Sequence, residues 1–176
     1  MEGPVAVVMA GGAGSRFGGP HKPFARACGR PLIDWPISAA LAVARKVLVM
    51  LSPLTAAYAG ELLGYPRVGA LMGSGAGYGA DVWLAARLVR ARPLLVLPGD
   101  LVGLTPDMVR QLLGAAMSSG EPLVTARVGG EYVGLSVIKS DAFSPWRDVD
   151  FSWDVVNVNG VEDLARAERL CEAARG

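Results

Sequence analysis

Histidine and cysteine are scarce in this 176-residue sequence, and their scarcity argues against several kinds of site. Cys28 and Cys171 are too few for a disulfide framework or a zinc cluster, and they favour a reducing, intracellular setting. His21 is the only histidine. No motif places a serine with both a histidine and an acid, so we do not expect hydrolysis by a catalytic triad.

An excess of one charge and a long apolar run are also missing. Lys plus Arg number 17 and Asp plus Glu number 16, which gives a net charge of +1. This balance argues against general binding to nucleic acid or to an acidic membrane, although a local basic site remains open. No apolar run approaches the ~18 residues of a membrane span. The start, M-E-G-P, has no basic segment before a cleavable apolar stretch, so we expect no secretory signal and a cytoplasmic protein.

The composition is that of a folded domain with a substantial core. Hydrophobic residues make up 52% of the chain and charged residues 19%. No linker or repeat is visible, so we expect a single domain over residues 1–176. Apolar runs predict strands over residues 4–10, 46–51, 67–71, 94–97, 123–128, 131–139 and 153–158. Helices are predicted over residues 31–43, 54–63, 81–92, 105–117 and 159–174.

This alternation predicts a three-layer, Rossmann-like α/β fold. Continuously apolar strands indicate a mainly parallel sheet covered on both faces, and Gly129-Gly130 indicates one late antiparallel hairpin. Ligands of such sheets bind at the carboxyl ends of the strands. The loops of interest are therefore residues 11–23, 73–79, 98–101 and 157–159.

The strongest motif is the glycine-rich loop A-G-G-A-G-S-R-F-G-G-P-H-K-P, which directly follows the first predicted strand. Glycines let backbone N–H groups approach a phosphate chain, and Arg16 and Lys22 add positive charge beside it. The spacing fits neither the dinucleotide fingerprint G-x-G-x-x-G nor the P-loop G-x-x-x-x-G-K-[ST]. The nucleotide-binding candidates here are Ala10, Gly11, Gly12, Gly14, Ser15, Arg16 and Lys22.

Two further sites supply the candidate metal ligands. Asp100 follows a wholly apolar strand, where a carboxylate can hold Mg²⁺ between phosphates. Taken alone it would be read as a plain turn aspartate, but together with the first glycine-rich loop the metal role is favoured. Asn157 ends the last predicted strand and can reach a metal or the acceptor phosphate, together with Asp154, or serve only as a strand-end amide. Asn159 is predicted to cap the terminal helix, with Glu162 completing a capping box.

The second glycine-rich loop, M-G-S-G-A-G-Y-G, precedes the helix that Asp81 is predicted to open. Its backbone can line a flat base or sugar, and Asp81 can accept hydrogen bonds from a guanine edge. The alternative is that Asp81 only stabilises the first helical turn through the helix dipole. The candidates here are Ser74, Gly75, Gly77, Tyr78 and Asp81.

The first loop resembles the signature G-G-x-G-x-R-x-G-x-x-K-P of nucleotidyltransferases in the MobA-like superfamily. Within it, the chain resembles the GTP:adenosylcobinamide-phosphate guanylyltransferases of cobalamin synthesis (the CobY family). The shared motifs are M-A-G-G-x-G-[ST]-R at 9–16, K-P at 22–23, C-G-R-x-L-I-D at 28–34, G-x-G-Y at 75–78, D-L at 100–101 and N-[IV]-N-x-x-[DE]-D-L at 157–164. The chain departs at Ala76, where that family tends to carry Lys, and at Phe17, where Met is common.

The resemblance implies an Mg²⁺-dependent transfer of GMP from GTP to a phosphorylated small-molecule acceptor. It implies catalytic roles for Arg16, Lys22 and Asp100, with Asp100 and Asn157 at the metal. Molybdenum-cofactor guanylyltransferases share the first loop, Asp100 and the last motif, and sugar-phosphate nucleotidyltransferases share the first motif. A nicotinamide oxidoreductase fits the fold class but not the glycine spacing, and a non-catalytic nucleotide-binding regulator would not need Asp100.

Overall fold

The computed structural model describes residues 3–174 as a twisted sheet flanked by helices. The strands are β1 (Val5–Met9), β2 (Arg26–Ala27), β3 (Arg30–Pro31), β4 (Lys46–Leu51), β5 (Val68–Met72), β6 (Leu94–Pro98), β7 (Leu101–Val102), β8 (Leu123–Val128), β9 (Glu131–Ile138), β10 (Trp146–Phe151) and β11 (Val156–Asn157). The helices are α1 (Asp34–Leu41), α2 (Tyr78–Leu88), α3 (Pro106–Met117) and α4 (Val161–Ala173), with 3-10 helices at Lys22–Phe24 and Ala56–Gly64.

The main sheet has seven strands in the order β10-β8-β9-β6-β1-β4-β5. All of its pairings are parallel except those of β9, which runs antiparallel to both β6 and β8. The prediction of a mainly parallel α/β sheet with a late antiparallel hairpin is therefore confirmed. Two small antiparallel sheets, β7–β11 and β2–β3, extend the carboxyl edge.

Helices cover the two faces of the sheet unequally. One face carries a large core to which α1 and α3 contribute Ile37, Val109 and Leu112, all fully buried. The other face carries a smaller core in which α2 packs Ala85 and Ala86 against the central strands. A third cluster joins α4 to the β2–β3 hairpin and to β7 and β11. Burial of these apolar side chains is the main driving force of the fold.

Several predicted element bounds are wrong for identifiable reasons. Helix α1 begins at Asp34 rather than at residue 31, because Pro31 belongs to the β2–β3 hairpin. Helix α2 begins at Tyr78, one turn before Asp81. The last member of the main sheet is β10, which sequence reasoning missed, whereas the predicted strand over residues 153–158 is reduced to β11 in the small sheet.

The inference from the two cysteines is also corrected. Cys28 lies in the tight turn of the β2–β3 hairpin, with a positive φ of 56°. A disulfide joins it to Cys171 on α4, across 143 residues of sequence. The backbone N–H of Cys28 also donates to Glu168 Oε1 at 2.6 Å. The cysteine count therefore no longer supports a reducing compartment.

Within residues 3–174, none of the helices has the length and apolar character that crossing a membrane requires.

Candidate active site

A cavity of about 520 Å³ opens at the carboxyl edge of the parallel strands, as expected for this class of sheet. We call it the main cavity. It is lined by Met9, Ala10, Gly11, Gly12, Ala13, Lys22, Pro23, Gly75, Gly77, Tyr78, Asp81, Pro98, Gly99, Asp100, Tyr132, Val133, Gly134, Asn157 and Asn159. The structure thus brings the predicted loops together in one place.

The first glycine-rich loop leaves β1 and folds back on itself. The carbonyl of Gly14 accepts from the backbone N–H groups of Phe17 and Gly19, at 2.9 and 3.0 Å. Gly14 has a φ of +60°, and a Cβ at this position would lie 1.9 Å from the carbonyl oxygen of Gly19. Only glycine fits such a position, so Gly14 sets the shape of the loop that lines the cavity.

Lys22 and Asp100 meet inside the main cavity. The Lys22 ammonium group donates to Asp100 Oδ2, and both side chains are 16% exposed. The 3-10 helix that starts at Lys22 fixes the lysine, and the turn between β6 and β7 fixes the aspartate. The two charged groups therefore neutralise each other.

Asn157 supplies a second oxygen beside Asp100. Asn157 ends β11 and pairs with Leu101 of β7, and Asp100 directly precedes that strand. The backbone N–H of Val158 donates to the carbonyl of Asp100 at 3.0 Å. The side-chain oxygen Oδ1 of Asn157 is buried and has no hydrogen-bond partner among residues 3–174. A buried acceptor without a donor is costly, and a cation would relieve that cost.

The pair fits a magnesium ion. A carboxylate and an amide oxygen are both hard ligands of the kind that Mg²⁺ prefers, and Mg²⁺ commonly takes only one or two protein ligands beside phosphate oxygens. Among residues 3–174, no group of three or more His, Cys, Asp or Glu side chains could hold a metal ion. A magnesium ion here would take the rest of its ligands from phosphate oxygens and water.

Arg16 lies at the rim of the cavity, beside the start of α4. Its Nη2 donates to Asn159 Oδ1 at 3.4 Å, and its side chain is exposed. The N-cap of α4 is Gly160, not Asn159 as predicted, and Asp163 rather than Glu162 reaches back to accept from the N–H groups of Gly160 and Asn159. These hydrogen bonds, that of Gly160 first, lower the pKa of Asp163.

Asp81 holds the second glycine-rich loop in place. Its buried carboxylate accepts from the backbone N–H and the hydroxyl of Ser74, both at 2.7 Å, and from the N–H of Gly75 at 3.2 Å. Gly73 packs so closely that a Cβ there would lie 3.0 Å from the Asp81 carboxylate. The Asp81 carboxylate therefore anchors the second glycine-rich loop. It also lies in the first turn of α2.

The sequence predicts that the second glycine-rich loop lines a nucleotide. On that expectation Asp81→Ala should weaken nucleotide binding about tenfold, because the loop over residues 73–75 loses three hydrogen bonds to a charged acceptor. Calorimetric titration with the four nucleoside triphosphates would measure the change. The matched control is Asp107→Ala, which removes an exposed acidic residue from the first turn of α3. If both variants lose only a little thermal stability and bind nucleotide equally well, Asp81 acts through the helix dipole alone.

Tyr78 spans the main cavity. Its hydroxyl donates to the carbonyl of Gly134 on β9 at 2.8 Å. Burial, and to a lesser degree the nearby Asp100 carboxylate, raises the pKa of Tyr78, so the phenol stays protonated and remains a donor. The bond joins the second glycine-rich loop to the antiparallel strand on the far side.

The structure separates the predicted residues into two groups. Ala10, Gly11, Gly12, Lys22, Gly75, Gly77, Tyr78, Asp81, Asp100 and Asn157 line the main cavity, whereas Gly14, Ser15, Arg16 and Ser74 lie beside it. His21 is exposed, with its ring edge against Phe17. Asp154 is exposed and does not line the cavity.

Sequence reasoning missed the contribution of β9, namely Tyr132, Val133 and Gly134. A signal was present in the predicted hairpin. Because β9 runs opposite to its neighbours, its first residues lie beside the carboxyl ends of the parallel strands, which is the edge where ligands bind.

Comparison with known proteins agrees with this geometry. The sequence profile of the family described as "MobA-like NTP transferase domain" matches residues 6–159. The adenosylcobinamide-phosphate guanylyltransferase of Methanocaldococcus jannaschii is 31% identical over 117 residues. That stretch covers 61% of this chain and 57% of the relative, so the chain spans little more than half of that protein's length.

Solved structures share the fold over nearly the whole chain. The inositol-1-phosphate CTP transferase from T. maritima superposes with a TM-score of 0.76 at 15% identity, covering 98% of this chain and 96% of that one. HddC from Yersinia pseudotuberculosis superposes with a TM-score of 0.71 at 14% identity, covering 97% and 99%. At such identities the likeness establishes the fold alone.

Proposed function

Because the chain belongs to the MobA-like NTP transferase domain family, we propose that it transfers GMP from GTP to the phosphate of adenosylcobinamide phosphate and releases pyrophosphate. The observation that carries this proposal is the meeting of the first glycine-rich loop, Lys22, Asp100 and Asn157 in one cavity. The choice of GTP and of the corrinoid acceptor rests on the 31% identical relative and on the short motifs shared with that family.

The triphosphate of GTP would lie along the first loop. The backbone N–H groups of Gly11, Gly12 and Gly14 are the proposed donors to the phosphate oxygens. Lys22 and Arg16 would neutralise charge, with the forked guanidinium of Arg16 reaching in from the rim. The base would pack against the second loop, with Asp81 holding Ser74 and Gly75 in position.

The reaction itself requires little proton chemistry. An oxygen of the acceptor phosphate forms a bond to the α-phosphorus of GTP, and the bond from that phosphorus to the oxygen bridging to the β-phosphate breaks. A phosphate monoester is already anionic at neutral pH, so no strong general base is needed. Catalysis then comes from positioning and from neutralising charge.

Asp100 and Asn157 are the residues that would hold Mg²⁺. The ion would supply Lewis-acid stabilisation of the negative charge on the phosphates. Lys22 contacts only Oδ2 of Asp100, so the other carboxylate oxygen would remain available to a metal. The Lys22 ammonium group lies in the same cavity and would also donate to a phosphate oxygen of GTP.

The compartment follows from the proposed substrates rather than from the cysteines. GTP and a phosphorylated intermediate are intracellular metabolites, and we propose that the protein works in the cytoplasm as a single nucleotidyltransferase domain.

Wild-type protein with Mg²⁺ should bind GTP in preference to ATP, CTP and UTP when the four are titrated by calorimetry. It should then release pyrophosphate when adenosylcobinamide phosphate is added. Molybdopterin and a sugar phosphate, supplied side by side, are the competing acceptors. We expect turnover with the corrinoid alone.

Each contrary outcome points to a different conclusion. Selective GTP binding with turnover of molybdopterin would replace the proposed acceptor but keep the guanylyl transfer. Binding of CTP or UTP alone would contradict both guanylyltransferase assignments and favour a sugar-phosphate nucleotidyltransferase. No nucleotide binding at all would remove the enzymatic proposal that rests on the first loop.

A further inference from the structure

Two large aromatic side chains lie uncovered on one face of the sheet, and the first of them borders the main cavity. Tyr132 on β9 is 57% exposed and Trp146 on β10 is 59% exposed. Tyr132 itself lines the cavity, so the exposed surface continues directly from the proposed reaction centre. Helix α2 packs over the central strands on this side of the sheet and leaves the rings of β9 and β10 open. We call this pair of rings the aromatic platform.

Hydrogen bonds fix the orientation of the platform. The hydroxyl of Tyr132 donates to Asp148 Oδ2 at 2.7 Å, and the Trp146 side chain lies near enough to the same hydroxyl to lower the pKa of Tyr132 slightly. Asp148 lies on β10, where it pairs with Thr125 of β8. The bond to Asp148 raises the pKa of Tyr132, so the phenol remains a donor. Rings held in this way lose little conformational freedom when a ligand stacks on them.

The charges around the platform are mainly negative. Arg127 lies beneath Tyr132, with its guanidinium carbon 5.7 Å from the ring centre, and its Nε is 3.5 Å from Asp150 Oδ1. Asp148 adds a second carboxylate on this face, whereas its neighbour Arg147 points to the opposite face of the strand. This surface is therefore unsuited to a second anionic group and suits a body that carries no negative charge and has an extended apolar face.

We propose that the aromatic platform binds the body of the acceptor, a neutral and flat ring system larger than a single sugar, while the acceptor phosphate points into the main cavity. This inference rests on the proposed function, because it assumes that the cavity joins a nucleotide to a phosphorylated acceptor. Asp148 is a positioning residue that acts through Tyr132.

The size of the main cavity supports the assignment. A cavity of about 520 Å³ is in the range that encloses one ligand of drug size, and GTP is such a ligand. The bulk of a second large substrate must therefore rest outside it. Through Tyr132, the platform adjoins the β9 side of the cavity. The second glycine-rich loop lies on the other side, and the hydrogen bond from Tyr78 to Gly134 joins that loop to β9.

The test compares the KM values for acceptor and for GTP in variants of the platform. Tyr132→Ala and Trp146→Ala should each raise the KM for adenosylcobinamide phosphate about tenfold, because an aromatic contact is lost, and should leave the KM for GTP unchanged. Tyr132→Phe and Asp148→Ala both keep the ring and both lose its hydrogen bond, so each should raise the acceptor KM by the same smaller factor of about threefold. Asp148→Asn still accepts from the tyrosine and should keep the wild-type KM.

The matched control is Trp83→Ala, which removes a tryptophan that is 50% exposed on α2 and does not line the main cavity. It should leave both KM values unchanged. If Tyr132→Ala and Trp146→Ala both keep the wild-type KM for the acceptor, the platform assignment is wrong while the proposed function stands. If wild type turns over only a sugar phosphate, the proposed acceptor and the platform both fail, because the platform requires a ring system larger than a single sugar. If wild type turns over only molybdopterin, the proposed acceptor fails; the platform then stands if Trp146→Ala raises the KM for molybdopterin and fails if that KM is unchanged.

Discussion

Asp100→Asn should lower kcat for GMP transfer by about a thousandfold while the protein stays folded. The substitution keeps the size of the side chain but removes the charge that would hold Mg²⁺ beside Asn157. Losing one electrostatic contribution at a reacting phosphate typically costs 10²–10³ in rate, and loss of the metal adds to that. The rate of pyrophosphate release at saturating GTP and acceptor would measure it.

The ion pair with Lys22 allows a sharper form of this test. Without the Asp100 charge, Lys22 has no carboxylate to neutralise it and is free to meet a phosphate. We therefore expect Asp100→Asn to bind GTP without Mg²⁺ at least as tightly as wild type, even though turnover is lost. A structural role for Asp100 in its turn would weaken binding and turnover together.

The control for this prediction is Asp107→Asn, which alters an exposed carboxylate on α3 outside the main cavity. Its kcat should match wild type. If Asp100→Asn also keeps kcat within about threefold of wild type, then Asp100 is an ordinary turn aspartate and the metal assignment fails.

Replacing both cysteines, as in the double variant C28S/C171S, should lower the free energy of unfolding by about 4 kcal/mol under oxidising conditions. The disulfide spans 143 residues, and a cross-link over so long a loop strongly restricts the unfolded chain. For a chain of this size such a loss corresponds to a fall in Tm of roughly 10 °C. Denaturant titration of the oxidised wild type and of the variant would measure the difference.

A reducing agent provides the control for the disulfide. It should destabilise the wild type by a similar amount and leave the double variant unchanged. The hairpin that carries Cys28 follows the Lys22 segment, and α4 follows Asn159, so reduction should also loosen two walls of the main cavity. Two titratable thiols in oxidised wild-type protein, with no response to the reductant, would contradict the prediction.

Sequence patterns predicted the elements whose signals are local. The apolar run over residues 46–51 matches β4 at both ends, and Thr105 caps α3 with Pro106 at its first position, as its sequence predicts. The Gly129-Gly130 turn joins β8 and β9, and both glycines have positive φ. In each case the responsible residues lie within a few positions of the feature that they determine.

Features that depend on distant contacts could not be predicted in the same way. Strand β10, W-R-D-V-D-F, is an edge strand with polar residues on its open face, so its sequence resembles a loop. The pairing of Cys28 with Cys171 depends on α4 docking against the β2–β3 hairpin. The place of Tyr132 in the cavity depends on β9 being inserted between β6 and β8, which no local pattern encodes.

The same division holds for the site. Lys22, Asp100 and Asn157 were predictable because each directly follows an apolar segment or a glycine-rich loop at the ligand-binding edge. The ion pair between Lys22 and Asp100 was not, since it depends on side-chain positions across 78 residues of sequence. The hydrogen bonds from Asp81 to the second glycine-rich loop could not be predicted either. An acidic residue in the first turn of a helix is already explained by the helix dipole, so its sequence position gave no sign of a second role.

The hydrogen bond between Tyr78 and Gly134 links the occupancy of the two halves of the cavity. It joins the loop proposed for the nucleotide to the strand proposed for the acceptor. A shift of either segment on ligand binding therefore displaces the other. By thermodynamic linkage, the nucleotide changes the affinity for the acceptor by the same factor as the acceptor changes the affinity for the nucleotide. A single neutral hydrogen bond contributes about 1 kcal/mol, which limits this cooperativity to about fivefold.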